Sequence, residues 1–390
     1  MTPRVTVLLA VYNGGAYLGE AVGSVLAQTY GDFELLLVDD ASTDGAIEAL
    51  PDDPRIRVLR NEHNIGQIPS LNRGLREARG EYIARLDADD VCLPRRLERQ
   101  ADVLDSHRDV DLVATWTDVV DDAGRLWAPV HSYVDSFADF VSQVVTGRVY
   151  LVHPSIAFRR DVVIELGGFD ETLNASEDQD LYRRLVLARR QARVVTETLL
   201  RYRRHDQQMT VTKSEAVWES DERSYDAFLG ALSSASPAST LRMMFRDDAR
   251  FWRHPPVSHA QLERFLDDLS ATLRLDAVER GAVAGAIAES AAAALVSGWW
   301  GTAAPSTYSL RARALAAFAA GHGEGRTHAI GSAAPVLTAT VHAGHGIGWV
   351  RTGLRTALRS DALSGPRRIA RGSRVLRRIY TRVVDARARR

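Results

Sequence analysis

The sequence predicts an α/β domain built on a mostly parallel sheet, followed by an α-helical C-terminal region. Two patterns carry that reading. Over the first 130 residues, short β-branched runs alternate with amphipathic helices, the arrangement of a parallel sheet covered on both faces. After Arg204 the apolar spacing becomes helical, with no further strand pattern. The chain has 390 residues, of which 45% are apolar and 25% charged. At roughly 150 residues per domain that allows two or three domains and excludes a disordered or collagen-like chain.

The strands expected first are Val5–Ala10, Phe33–Val38, Ile56–Arg60 and Tyr82–Leu86. Between them, Leu18, Val22, Val25 and Leu26 mark one apolar helix face; Ile68, Leu71, Leu75 and Ala78 mark a second; Leu97, Ala101 and Leu104 mark a third. A short helix is expected over Asp44–Leu50, capped by Ser42 or Thr43. Further on come a strand at Leu112–Val119, a turn at Asp121–Gly124, a helix near Ser136–Thr146, a strand at Ser155–Phe158, and the turn Gly167–Gly168. A helix with Leu181, Tyr182, Leu185 and Val186 inward closes this region. Ser233–Thr240 and Gly321–Gly331 read as flexible stretches. The domain boundaries expected are 1–210, 211–345 for a helical region, and 346–390 for a tail.

Ligands of open parallel sheets bind at the carboxyl ends of the strands, and each first-domain strand ends in a polar or glycine-bearing cluster. Asp87-Ala88-Asp89-Asp90 follows the run EYIARL. Three neighbouring carboxylates repel one another, and a divalent cation bridged to a diphosphate relieves this. Helix capping ahead of Pro94 accounts for one aspartate, not three. Asp39-Asp40-Ala-Ser-Thr-Asp44 follows the second strand, where a carboxylate could accept from a base or ribose, or else start a helix. Val11-Tyr12-Asn13 precedes two glycines, and Tyr12 could stack on a base. Glu177-Asp178-Gln179-Asp180 opens a helix, where the macrodipole favours acids and a cleft-facing carboxylate could act as a general base.

The blocks VTVLLAVYNGGAYLGEAVGSVLAQTYGDFELLLVDDASTDG, RNEHNIGQIPSLNRGLREARGEYIARLDADD, HPSIAFRRDV, GGFDE and SEDQDLYRRL, in that order and spacing, resemble glycosyltransferase family 2 of the GT-A fold, over about residues 3–210. The resemblance implies a nucleotide-diphospho-sugar-binding domain and an inverting, metal-dependent transfer of a sugar from a nucleotide-sugar donor to a hydroxyl acceptor. It implies that Asp87 and Ala88 lie at the donor, that Asp89 ligates Mn2+ or Mg2+, and that Val11, Tyr12, Asn13, Asp40 and Arg73 bind the nucleotide. Asp178 is then the catalytic base, His205 of the YRRH block approaches the metal or diphosphate, and His153 and Glu177 lie on the acceptor side. Ala10 stands where many relatives have proline or threonine. The context implied is surface polysaccharide or cell-wall glycan synthesis on a glycan or lipid-linked acceptor.

Charge and cysteine usage add to this. Residues 351–390 hold thirteen arginines against Asp361 and Asp385, while the whole chain carries a net charge of −1, so the body is acidic and the tail strongly basic. Val375, Leu376, Ile379, Tyr380, Val383 and Val384 form an apolar stripe among arginines. Such a helix suits an anionic bilayer or docking on the acidic body, and nucleic acid is not expected as a partner. Cys92 is the single cysteine, which indicates a reducing compartment. The N-terminal apolar run reads as a strand, and the alanine-rich window 281–300 makes a poor membrane span. The expected location is cytoplasmic, peripheral on the inner face of the plasma membrane through the tail. The rivals are a nucleotidyltransferase, which would want a basic residue in the VYNGG loop, and a non-catalytic membrane-associated scaffold.

Overall fold

The computed structural model describes residues 2–147, 149–206, 208, 212, 214–234, 238–245 and 259–300. The basic tail and the Gly321–Gly331 stretch lie outside these residues. The chain divides into two compact units, one of residues 1–144 and 148–228, the other of residues 145–147 and the described residues beyond 228.

In the first unit, β1 (Val5–Val11), β2 (Phe33–Asp39), β3 (Ile56–Arg60) and β4 (Tyr82–Arg85) pair in parallel in the order β3-β2-β1-β4. β1 and β2 read as near-continuous apolar runs because both faces of the sheet are covered. The faces are covered by α1 (Tyr17–Leu26), α2 (Gln67–Glu77) and α3 (Arg96–Ser106). Leu18, Val22 and Val25 of α1, Ile68, Leu71 and Leu75 of α2, and Leu97, Ala101 and Leu104 of α3 are buried, so the predicted apolar faces are the packed ones. The turn into β4 lies so close to β1 that a Cβ on Gly80 would stand 2.4 Å from the Thr6 nitrogen, a contact only glycine avoids.

Past β4 the sheet becomes mixed. β6 (Val110–Val120), β8 (Ala157–Arg159) and β9 (Gln191–Arg203) extend it, with β8 antiparallel to both β4 and β6, and β9 parallel to β6. β5 (Val91–Cys92) caps the far edge against β9, and β7 (Leu126–Val130) forms a hairpin with β6 about the Asp121–Gly124 turn. The predicted strand at Ser155–Phe158 starts later, because Pro154 lies in a 3-10 turn, His153–Ser155. The predicted helix Asp44–Leu50 does not form. Gly45 takes φ 75° and the segment makes turns, since so short a run ahead of Pro51 cannot sustain a helix. α4 (Phe137–Val145), α5 (Arg160–Glu165) and α6 (Glu177–Leu187) complete the layer, and α7 (Ser214–Leu232) follows.

The second unit is helical: α8 (Ala238–Phe245), α9 (His259–Thr272) and α10 (Ala277–Trp300). Leu262, Phe265, Leu266 and Leu269 form the buried stripe of α9. A reciprocal capping pair starts α10, with Asp276 Oδ1 accepting from the Val278 and Glu279 N–H groups and Glu279 Oε2 accepting from the Asp276 N–H. No helix among the described residues is long and apolar enough to cross a membrane.

Candidate active site

The loops after β1, β2, β3 and β4 meet at one edge of the sheet, the carboxyl ends where parallel sheets bind ligands. Hydrogen bonds knit them together. The Asn13 N–H donates to Ser42 Oγ at 2.9 Å, the Thr43 N–H donates to Asn13 Oδ1 at 2.8 Å, and the Gly15 N–H donates to Asp44 Oδ2 at 2.8 Å. The Val11 carbonyl accepts from the Asp40 N–H. Asn13 is thereby committed to framing the pocket, while Tyr12 projects beside it with 54% of its surface exposed.

Asp40 is buried and holds the loop after β3. Asn61 Nδ2 and the Ile65 N–H donate to its Oδ1, and the Gly66 N–H donates to its Oδ2, all at 2.7–2.9 Å. Arg73 of α2 donates to the Arg60 carbonyl and to Asn61 Oδ1, so Asp40 and Arg73 join through Asn61. Its neighbour Asn72 is fully engaged elsewhere. Asn72 Oδ1 accepts from the Phe169 N–H, while Nδ2 donates to the Phe169 carbonyl and to Glu171, which pins the glycine turn ahead of α6.

After β4, one carboxylate oxygen from each of Asp87, Asp89 and Asp90 lies within 4.8 Å of the others. Asp90 is not a helix cap. Its Oδ1 accepts from the Arg203 N–H at 2.8 Å, and its Oδ2 is buried with no partner. Burial, then the Asp89 and Asp87 charges, drive the Asp90 carboxyl well above the usual range, and burial followed by Asp87 raises Asp89. Clustered, partly buried oxygen donors with excess negative charge and one buried orphaned oxygen fit a hard divalent cation such as Mg2+ or Mn2+. Asp89 Oδ2 also lies 2.9 Å from His205 Nε2 and 3.5 Å from Gln208 Nε2, so the YRRH block reaches the cluster. Ala88 packs against the core beneath.

Arg203 does most to bring β9 here, and the sequence reading passed over it. Its Nε donates to the Asp89 carbonyl, Nη1 to the Asp122 carbonyl and Nη2 to Glu20, and its guanidinium sits 4.9 Å from the Tyr17 ring centroid. Arg85 was likewise unmarked, although its Nη2 donates to Asp87 Oδ1. The only signal was an arginine inside a run otherwise apolar enough for a buried strand.

At the start of α6 the acids separate by partner. Asp180 is tied to Arg184 and Ser224. Glu177 Oε1 lies 3.4 Å from His153 Nδ1, whose Nε2 is buried without a partner. Burial works most strongly against the Glu177 charge, but the His153 contact, helped by the helix-start backbone and Arg85, holds the carboxyl below its usual value. Asp178 is half-buried, and its Oδ2 accepts a long hydrogen bond, 3.4 Å, from Gln179 Nε2. Crowding by protein raises its carboxyl, with Glu177 adding to this and His153 opposing it.

The sequence model described as glycosyl transferase family 2 matches residues 6–167. An uncharacterized glycosyltransferase of Methanocaldococcus jannaschii is 33% identical over 207 residues, 52% of this chain and 71% of that protein. An uncharacterized glycosyltransferase of Rickettsia typhi is 31% identical over 235 residues, 56% of this chain and 71% of that protein. Among solved structures, S. aureus TarS 1–349 in complex with UDP-GlcNAc superposes with a TM-score of 0.50 at 17% identity, covering 87% of this chain and 88% of that one. The chain belongs to glycosyltransferase family 2.

Proposed function

We propose that this chain is a metal-dependent, inverting glycosyltransferase that moves a sugar from a nucleoside-diphosphate donor to a hydroxyl acceptor. The observation that carries the reading is the cluster Asp87, Asp89 and Asp90 with its buried, unpartnered oxygen at the carboxyl end of β4. Asp89 and His205, with the free Asp90 oxygen and Asp87 beside them, would hold the cation, which when bound would neutralise charge developing on the leaving diphosphate. Tyr12 offers a free aromatic face for the base. Asp40 has three donors on a carboxylate with about four acceptor sites, which leaves one for a base N–H, and Arg73 braces the same loop from the other side of Asn61.

Asp178 takes the acceptor proton on a carboxylate oxygen as the hydroxyl attacks the anomeric carbon opposite the diphosphate. One displacement inverts that centre. Its raised affinity for protons makes it a stronger base than an ordinary aspartate. Glu177, held ionised by His153, keeps the helix start in place on the acceptor side.

We place the enzyme in surface polysaccharide or cell-wall glycan synthesis on a glycan or lipid-linked acceptor, held to the cytoplasmic membrane face by its basic tail. The nucleotidyltransferase reading is less favoured because the 11–15 loop carries no basic residue. Asp178→Asn tests the base. Donor binding should persist, while transfer falls by about 10²-fold or more, within the range for a lost general base. Undiminished turnover would remove Asp178 from the mechanism.

A further inference from the structure

β7 and the residues after it turn one row of side chains to solvent. Trp127, Pro129, His131 and Tyr133 are exposed, while Ala128, Val130, Ser132 and Val134 between them are buried or half-buried. That is the alternation of a strand with one wet face, but the wet face here is largely aromatic, with 61% of Trp127 and 63% of Tyr133 exposed. Trp116 of β6 joins the row. Its ring stacks on His131 at 4.1 Å between centroids and meets Tyr133 edge-on at 5.4 Å. At about 3.3 Å per residue the row runs ~20 Å from Trp127 to Tyr133. A contiguous exposed patch of this kind marks a binding surface.

The row begins at the aspartate cluster. β8 is antiparallel to both β4 and β6, and β9 is parallel to β6, so β6 and β9 end at the same edge of the sheet as β4. Arg203 joins the Asp89 carbonyl to the Asp122 carbonyl in the β6–β7 turn. The next residue, Arg204, lays its guanidinium 4.3 Å from the Trp127 ring centroid, and His205 after it meets Asp89. The far end is held rigidly. Trp116 Nε1 donates to the Ser132 carbonyl at 2.9 Å, Gln143 Nε2 to the Tyr133 carbonyl at 2.7 Å, and the Val194 N–H to the Val134 carbonyl at 2.9 Å. A surface fixed in advance loses little freedom on binding.

Polar groups accompany the rings. Asp118 pairs in register with Pro129 on one side and Arg201 on the other, and cross-strand partners share a face. A pyranose has a flat face of C–H groups and a rim of hydroxyls. The negative face of an indole or phenol attracts those C–H groups, while a carboxylate and a guanidinium take the hydroxyls. A stable protein interface takes about 20–30 residues a side, far more than this single row offers.

We propose that the Trp127–Tyr133 row is an acceptor subsite, and that the acceptor is an oligosaccharide whose sugars behind the reactive hydroxyl stack along it; this rests on the transferase reading given above. The length of the row then selects an extended glycan over a single sugar.

A microarray of surface and cell-wall oligosaccharides of graded length tests it, probed with the full chain without donor or metal, with a thermal melt of each variant. Longer oligosaccharides should be retained and their monosaccharides not. Trp127→Ala and Tyr133→Ala should each weaken that binding at least about fivefold, the loss expected of a residue that matters at an interface. Trp127→Phe keeps an aromatic face and should stay within about twofold of wild type. An array on which nothing binds would overturn the subsite, as would an equal loss in Trp218→Ala, which removes an exposed tryptophan of α7. A wild-type dimer that Trp127→Ala converts to monomer would instead make the row an interface between copies. Glycan binding by a chain whose melt responds to no nucleotide with Mn2+ would defeat the transferase reading, and the acceptor role with it.

Discussion

Asp178 and Asp180 stand two residues apart on one helix, and their partners give them different work. Asp180 is spent on Arg184 and Ser224, while Asp178 keeps its carboxylate nearly uncommitted. Because a base must be deprotonated to act, transfer should rise with pH, and the raised Asp178 carboxyl places that rise above the ordinary carboxylate range. His153 opposes the rise, so His153→Ala should move the acid limb of kcat/KM to higher pH; an unmoved limb would detach His153 from Asp178. The acids were legible in the sequence because clustered carboxylates are rare enough to demand an explanation. The macrodipole explanation of Glu177–Asp180 could not be divided residue by residue, since it turns on which partner each side chain finds. Arg203 was not legible, and Arg85 only as an arginine inside an otherwise apolar run, because a sequence does not say which partners an arginine will find.

Elements were read well where one periodicity ruled. The faces of α1, α2 and α3 and the first four strands follow from spacing. β9 was missed because its pairing register with β6 slips near Trp116, interrupting the alternation across Thr196–Thr198. That strand carries Arg203 to the aspartates, so the omission hid part of the site's frame. The link between α2 and the turn before α6 was also invisible, since Asn72 and Phe169 are far apart in sequence. Asn72→Ala would strand the buried Phe169 N–H and carbonyl and should lower the unfolding free energy by about 1–3 kcal/mol, measured as a drop in the urea midpoint. Gly168→Ala should act in the same direction, because its Cβ would meet Asn72 Oδ1 at 2.6 Å and φ is 74°. Unchanged midpoints in both variants would show that this contact does not hold the turn.

At the scale of the molecule, an acidic body carries a basic tail, and the two are expected to meet different partners. The full chain should sediment with vesicles containing anionic lipid at low salt, release as salt rises, and ignore neutral vesicles. Replacing Arg374, Arg377, Arg378 and Arg382 by glutamine should abolish the association. The body's claim is electrostatic too. Protons held by the raised Asp89 and Asp90 carboxyls compete with a cation, so Mn2+ should stabilise the chain more at pH 7 than at pH 5. The most direct measurement is a melting titration at pH 7 with UDP, GDP, dTDP and CDP, each with and without Mn2+, on wild type and Asp89→Asn. A ligand that binds only the folded state raises its stability, by about 2.7 kcal/mol at a hundredfold excess over Kd. One nucleotide together with Mn2+ should raise Tm by more than the two separate increments, and Asp89→Asn should erase the excess. Equal shifts without the metal, or an excess that survives in Asp89→Asn, would contradict a cation shared by the aspartates and the donor.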